Sequence, residues 1–277
     1  MDFTLTFDSA YAAHAAVVMA TMAETMPDDE LRFWLVTADD VNQRARATLE
    51  RAAGPNATIS YLDVDTSRLS QSTGCDPVMM QYLSPAMYLR LLVPEALPAE
   101  VERVLYVDSD VLCTNTLKPL FEFDMGGVPI GAVRDAFNRR LLDMGGLPGM
   151  MSYGMDPRAS YFNSGVLLID VARWKEAGVT EKSLEYLNRH AQESRYPDQD
   201  ALNYAVYGNW LRMSRRWNDV MGWRCEPEFG GSLSDAAIIH CNGPLKPWQP
   251  AFDKGARRDL YWRHRRLSGG LLRTTRR

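Results

Sequence analysis

The stretch Val104-Leu105-Tyr106-Val107-Asp108-Ser109-Asp110-Val111-Leu112-Cys113 decides how the rest of the chain is read. Four apolar residues run into two aspartates one residue apart, and the chain then turns apolar again. Such a run predicts a buried strand, and a charge pair at its end marks where a parallel sheet opens into a ligand crevice. Side chains at i and i+2 of an extended segment share a side, so Asp108 and Asp110 are expected to face one cation. Hard oxygen ligands suit Mg²⁺ or Mn²⁺, ions most often recruited to hold phosphates. Asp-x-Asp also occurs in solvated turns, so the remaining chain has to carry the decision.

Toward the N-terminus, Phe3, Leu5 and Phe7 alternate and predict a first strand, Met1–Phe7, ending at Asp8. Tyr11–Met26 predicts a helix stopped by Pro27. A second strand is expected at Leu31–Val36, a helix capped by Asp40 and closed by Gly54-Pro55, and a third strand at Thr58–Asp63. This alternation predicts a parallel sheet with right-handed crossovers. The first strand-to-helix turn, Asp8-Ser9-Ala10-Tyr11, lacks a Gly-x-Gly-x-x-Gly fingerprint, and no Gly-x-x-x-x-Gly-Lys-Ser/Thr loop occurs. That argues against NAD-dependent oxidoreductases and P-loop kinases. Asp8 could accept from a base N–H and Tyr11 stack on a ring, or the pair could be an ordinary cap beside a half-buried tyrosine.

Downstream, residues 64–85 are polar and irregular, and Ala86–Leu92 predicts a buried helical piece holding Arg90. An arginine in such a setting snorkels or pairs with something fixed. Pro129–Val133 is expected as a strand ending at Asp135, and the Met-rich stretch 136–160 as a functional loop. Phe162–Asp170 predicts another strand, Val171–Ala191 a helix, and Tyr196 the start of a further helix with Asp198 as its cap. Finally Ala236–His240 is an apolar strand delivering His240 into Cys-Asn-Gly-Pro-Leu-Lys-Pro-Trp248.

At 277 residues the chain fits one large α/β domain, read here as residues 1–253, followed by a basic-aromatic tail, 254–277. The net charge of −4 divides into about −12 for the body and about +8 for the tail. An acidic body with a basic-aromatic end fits an anionic membrane surface better than a nucleic acid; a disordered solubilising end is the competing expectation. Cys75, Cys113, Cys225 and Cys241 show neither zinc nor Cys-x-x-Cys spacing and read as reduced thiols of a cytoplasmic protein. Ala12–Ala23 is too short to span a bilayer, and no signal peptide is expected.

Asp108, Asp110 and His240 each end or follow a predicted strand, a donor set fit for Mn²⁺ with positions left for diphosphate oxygens. Gly243 permits close backbone approach, and Lys246 supplies a phosphate-seeking charge. With these pieces in order the chain resembles glycosyltransferase family 8, a family of retaining enzymes with the GT-A fold. The matching segments are Phe7-Asp8 with Tyr11, Tyr88-Leu-Arg90, Leu105-Tyr-Val-Asp-Ser-Asp110, Gly131-Ala-Val-Arg-Asp135, Phe162-Asn-Ser-Gly-Val-Leu-Leu-Ile169, Asp198-Gln-Asp-Ala-Leu-Asn203 and His240-Cys-Asn-Gly-Pro-Leu-Lys-Pro-Trp248.

The resemblance implies a Rossmann-like α/β fold, with a mostly parallel central sheet flanked by helices. It implies that Asp108, Asp110 and His240 hold Mn²⁺ (or Mg²⁺), bridging the diphosphate of a UDP-sugar. It places Asp8 and Tyr11 at the uracil, and Gly243 and Lys246 at the phosphates. Arg90, Asp135, Asn163 and Asp198 fall at the donor hexose, and Gln199 beneath its anomeric carbon. Glutamine is a poor nucleophile, which favours front-face transfer with electrostatic stabilisation. The expected activity moves galactose or glucose to a glycan or glycolipid acceptor such as lipopolysaccharide. Ala10, Tyr82, Met87 and the 136–160 loop depart from relatives and bear on acceptor and hexose choice. A non-catalytic sugar-nucleotide binder and a sugar-nucleotide phosphohydrolase are the alternatives; the second needs a base in line with phosphorus, and none stands out in the sequence.

Overall fold

The structure, a computed structural model, describes residues 1–69, 86–220 and 236–268. Cys75, Tyr82 and Cys225 lie outside these. Strands β1 (Asp2–Phe7), β2 (Leu31–Thr37), β3 (Ala57–Tyr61), β4 (Arg103–Val107), β6 (Ile130–Arg134), β7 (Phe162–Asp170) and β8 (Leu211–Arg212) form one mostly parallel sheet, in the order β3-β2-β1-β4-β7-β6-β8. Strands β5 (Val111–Cys113), β9 (Asp219–Val220) and β10 (Ile238–His240) form a second, in the order β5-β10-β9. The longer helices are α1 (Ala12–Thr25), α2 (Gln43–Ala53), α3 (Val179–His190), α4 (Pro197–Ala205) and α5 (Ala256–Leu267). Among the described residues no helix is long and apolar enough to cross a membrane.

The chain divides into two compact units, the first comprising Met1–Tyr61, Val107–Glu122 and Ser214–Arg277. Here β1 pairs parallel with β2 and β2 with β3, as the strand–helix alternation predicts. All six residues of β1 are buried, Thr4 and Thr6 included, because a parallel strand covered on both faces has no solvent side. Phe3, Leu5 and Phe7 are at most 1% exposed, each worth about 1.5–3 kcal/mol of burial. The cap of α2 is Asn42, not Asp40: the Asn42 side chain accepts from Ala45 N at 3.0 Å, which shortens the predicted helix at its start.

The basic-aromatic segment is no disordered end over its described part. It folds as α5, where buried Tyr261, His264, Arg265 and Ser268 recur at helical spacing and make one inward face. Tyr261 joins Val17, Leu112, Ile239 and Cys241 in an apolar cluster. His264 pairs with Glu24 of α1, and Arg263 reaches the same carboxylate at 2.8 Å.

The second unit comprises Leu62–Tyr106 and Phe123–Met213. Its β6 runs antiparallel to β7 and parallel to β8, so the sheet is mixed there. The helix expected over Val171–Ala191 is two: Val171–Glu176, then α3 after Gly178 in the left-handed region at φ 61°. The break lets the buried Trp174 donate its indole N–H to Thr180 at 2.9 Å. Ala86–Leu92 is likewise shorter than expected, a helical turn over Ala86–Leu89 only. The 136–160 segment is tied down, with Arg140 bridged to Ser160, Asp143 accepting from the Arg139 and Arg140 amides, and Tyr153 bonded to His190 of α3 at 2.8 Å.

Candidate active site

The predicted site residues fall into two sets, one in each unit. In the first unit β4 ends at Val107, and Ser109 and Asp110 lie in a turn before β5. The two carboxylates therefore come to one side through a turn, not through the extended i, i+2 geometry. Antiparallel pairing of β10 with β5 sets His240 opposite Val111, and Cys241 N donates to Asp110 O at 2.9 Å. That pairing brings a histidine from the far end of the sequence to the carboxylates. His240 Nε2 lies 3.2 Å from Asp110 Oδ1 and 3.8 Å from Asp108 Oδ2. One ligand atom from each of Asp108, Asp110 and His240 lies within 4.8 Å of the others, a spacing that suits a shared cation.

Two further features fit this cluster to a metal and its anion. The His240 Nδ1 meets Asn218 Oδ1 at 3.0 Å, a contact that fixes the ring and turns Nε2 toward the two carboxylates. Lys246, 136 residues after Asp110, donates to Asp110 Oδ2 at 2.5 Å and to Cys241 O at 3.0 Å. Burial alone would push the Asp110 carboxyl up, but Lys246 and His240 outweigh it and hold it well below the usual carboxylate range. The same pair works in reverse on Lys246, whose burial pulls its pKa down while Asp110 drives it above the ordinary lysine value. Ser109 Oγ is buried without a hydrogen-bond partner among the described residues, a polar atom left between the two carboxylates.

Around this cluster Asp8 is not the cap of α1, whose N-cap is Tyr11 with no side-chain bond; its Oδ1 closes the preceding turn by accepting from Tyr11 N at 3.0 Å. Its loop is fixed by Asp39, which accepts from Ser9 N at 2.6 Å and Ser9 Oγ at 2.7 Å. Tyr11 sets its ring edge-on to Trp248, centroids 5.9 Å apart, and burial raises its hydroxyl pKa. Gly243 sits at φ 115°, where a side chain is strained, while a Cβ there would meet nothing within 4 Å. The glycine thus serves the backbone turn, not a close approach within the protein. Cys113 and Cys241 are buried thiols, each pushed up to about 12 by burial.

In the second unit Arg90 pairs rather than snorkels. Its Nε lies 3.2 Å from Asp198 Oδ2, both side chains 8% exposed. Nη1 donates to Ser164 O at 3.0 Å and Ser164 Oγ at 3.1 Å, and the guanidinium lies over the Tyr106 ring at 4.8 Å. Asp198 is therefore an ion-pair partner in the first turn of α4, not the cap: the N-cap is Tyr196, with no side-chain bond. Asp135 accepts from Phe137 N and Asn138 N through Oδ1, and from Asn163 Nδ2 at 3.0 Å through Oδ2. Gln199 Oε1 accepts from Ser164 N at 2.9 Å and Asn163 Nδ2 at 3.2 Å, and its Nε2 donates to Asp135 at 3.4 Å. Asn163, Asp135 and Gln199 thus form one buried amide–carboxylate network across β6, β7 and α4.

Sequence reasoning missed several members of these sets. Asn218 and Asp39 act only through a neighbour's side chain or loop, and no local pattern marks them. Asn203 accepts from Phe162 N and donates to Phe162 O and Gln199 O, all at 2.9 Å, locking α4 to β7. Asp200 accepts from Tyr161 OH at 2.5 Å, and burial pushes its carboxyl up to about 7 against hydrogen bonds from Tyr161 and Ser194. The acidic spacing Asp198-Gln199-Asp200 was the available signal for Asp200.

A mostly parallel α/β sheet carrying an Asp-x-Asp cluster beside a strand-borne histidine defines a GT-A glycosyltransferase, and the relatives agree. The family model described as "Glycosyl transferase family 8" matches residues 2–251, and the chain belongs to that family. It is 25% identical over 275 residues to General stress protein A of Bacillus subtilis, covering 93% of this chain and 90% of that protein. It is 28% identical to a lipopolysaccharide 1,2-glucosyltransferase of Escherichia coli, covering 79% of this chain and 64% of the relative. Among solved structures, the galactosyltransferase LgtC in complex with donor and acceptor sugar analogues superposes with a TM-score of 0.78 at 27% identity, covering 98% of this chain and 96% of that one.

Proposed function

We propose that this glycosyltransferase moves galactose or glucose, with retention, from a UDP-sugar to a lipopolysaccharide or other cell-surface glycan. The observation that carries the reading is the convergence of Asp108, Asp110 and His240 with Lys246 in contact with Asp110. The names of the relatives, a lipopolysaccharide glucosyltransferase and a galactosyltransferase, support the substrate class. Asp108, Asp110 and His240 would hold Mn²⁺, which when bound would supply Lewis-acid stabilisation of the diphosphate. Mg²⁺ fits the same hard donors.

The chain's own groups do the remaining work. Asp8 and Tyr11 hold the uracil, and Gly243 and Lys246 meet the phosphates, where the ammonium offsets charge developing on the leaving group. Arg90, Asp135, Asn163 and Asp198 bind hexose hydroxyls. Gln199 lies beneath the anomeric carbon, and its Oε1, already accepting from Ser164 N and Asn163, is placed by the network rather than poised to attack. That supports front-face transfer with Gln199 as an electrostatic stabiliser.

Residues 1–253 form the catalytic domain in this reading, and 254–277 a basic-aromatic tail whose exposed Arg263, Arg266 and Leu267 suit peripheral contact with an anionic membrane, on the cytoplasmic face. Liposome flotation tests that last part, and equal binding by an Arg263→Glu/Arg266→Glu variant removes it. For the activity, UDP release from UDP-galactose and UDP-glucose is measured with Mn²⁺ and with excess chelator. Turnover that survives the chelator sinks the metal site; UDP affinity with no release in water or onto any glycan leaves a non-catalytic binder.

A further inference from the structure

The segment beyond the family match returns to the loop that carries Lys246. Helix α5 lies after residue 251, where the family model ends, yet Tyr261 OH bonds His14 Nδ1 at 2.7 Å. His14 in turn stacks on Trp248, centroids 3.7 Å apart and planes at 22°. Trp248 meets Tyr11 edge-on, and Tyr11 precedes His14 by one helical turn, with His14 N donating to Tyr11 O at 2.8 Å. From the other side Trp262 Nε1 donates to Pro247 O at 3.1 Å. The Lys246-Pro247-Trp248 run is therefore gripped at two successive residues by two successive side chains of α5. Burial first, and Arg265 second, lower the His14 ring to about 3, so it is a neutral hydrogen-bonding plate at any physiological pH.

We infer that α5 is a built-in brace of the 241–249 loop, and that Tyr261 is its positioning residue, acting through His14 and Trp248 on Lys246 and Tyr11. This rests on the reading of Lys246 and Tyr11 as nucleotide-holding groups, and adds that their placement depends on a helix beyond the residues the family model matches. Within the loop Lys246 is held by Gln249 Oε1, Cys241 O and Asp110, while Pro247 and Trp248 take their holds from Trp262 and His14. The aromatic plates replace the missing regular structure.

The test compares the full chain with Tyr261→Phe, which keeps the ring and removes the hydroxyl, and with Trp262→Phe. Amide hydrogen exchange of the ligand-free proteins is the first readout. Faster exchange confined to 241–249, with exchange elsewhere at the wild-type rate, is the expected result. The second readout is turnover with Mn²⁺ and UDP-hexose, where KM is expected to rise about fivefold to tenfold, the loss of one hydrogen bond, with kcat within about twofold. Unchanged exchange in 241–249 overturns the brace whatever the kinetics. Faster exchange throughout, with a lowered urea midpoint, also overturns it, because Tyr261 is then a fold-stabilising contact only. Local loosening in a protein whose wild type shows no UDP affinity upholds the brace and refutes the nucleotide reading instead.

Discussion

In the first unit Asp110 turns one carboxylate oxygen to Lys246 at 2.5 Å and the other to His240 at 3.2 Å. In the second, Asp135 receives four donors, two backbone amides and the side chains of Asn163 and Gln199. The first cluster is a meeting of charges whose partners are other titratable groups, and its geometry suits a guest cation and its anion. The second is a closed amide network in which each group fixes the next, and its geometry suits a shape that must not move. A single loss should therefore fall on chemistry in the first unit and on both chemistry and folding in the second.

The largest effect is expected from Asp110→Asn. With the carboxylate removed, UDP-hexose turnover should fall about 1000-fold or more while circular dichroism stays native. Residual turnover above a tenth of wild type would make the cluster a structural ion pair. Arg90→Met attacks the other side of the comparison, leaving Asp198 buried without its guanidinium. Urea unfolding should show a loss of about 3–5 kcal/mol, the cost of stranding one member of a buried pair. A loss under about 1 kcal/mol would show the pair to be solvated.

Gln199→Ala comes next, with turnover down about tenfold to a hundredfold and UDP affinity within about twofold. An unchanged rate dismisses its role beneath the sugar. The last prediction concerns stability alone, a pH dependence from Asp200. Its folded carboxyl is pushed up to about 7, so the folded state binds the extra proton between the ordinary aspartate range and 7. Its contribution to stability is complete below about pH 4 and is lost as pH rises through 7. Unfolding free energies from pH 4 to 8 should fall with pH in the wild type, and Asp200→Asn should flatten that slope; parallel profiles would assign the slope to another group.

Much of both clusters was legible, because metal and sugar contacts demand particular side chains at strand ends, and the strands are written in apolar runs. Phe162–Asp170 appears as a strand with the bounds read from its sequence. Where the reading failed, packing had overruled a local signal. Asp40 and Asn42 are both good caps, and only the position of the first free amide, Ala45 N, chose Asn42. Asp198 has a cap's sequence position, but a buried arginine outbids the helix end for its carboxylate. The helix read over Val171–Ala191 runs across Gly178, yet the chain breaks there and Trp174 meets Thr180. The tail's charge suggested a membrane-facing or solvated end, while Tyr261, His264, Arg265 and Ser268, spaced for one helix face, pack inward.

By itself the sequence determined which residue types carry chemistry and that a parallel α/β sheet presents them, since apolar periodicity and donor chemistry are local properties. Only the tertiary structure decided how they meet. The Asp108–Asp110 turn, the β5–β10 pairing that brings in His240, Asn218 behind that histidine, and α5 against Trp248 all join segments far apart in the chain. Such contacts are chosen by burial and hydrogen-bond satisfaction across the whole fold, and no local pattern encodes them.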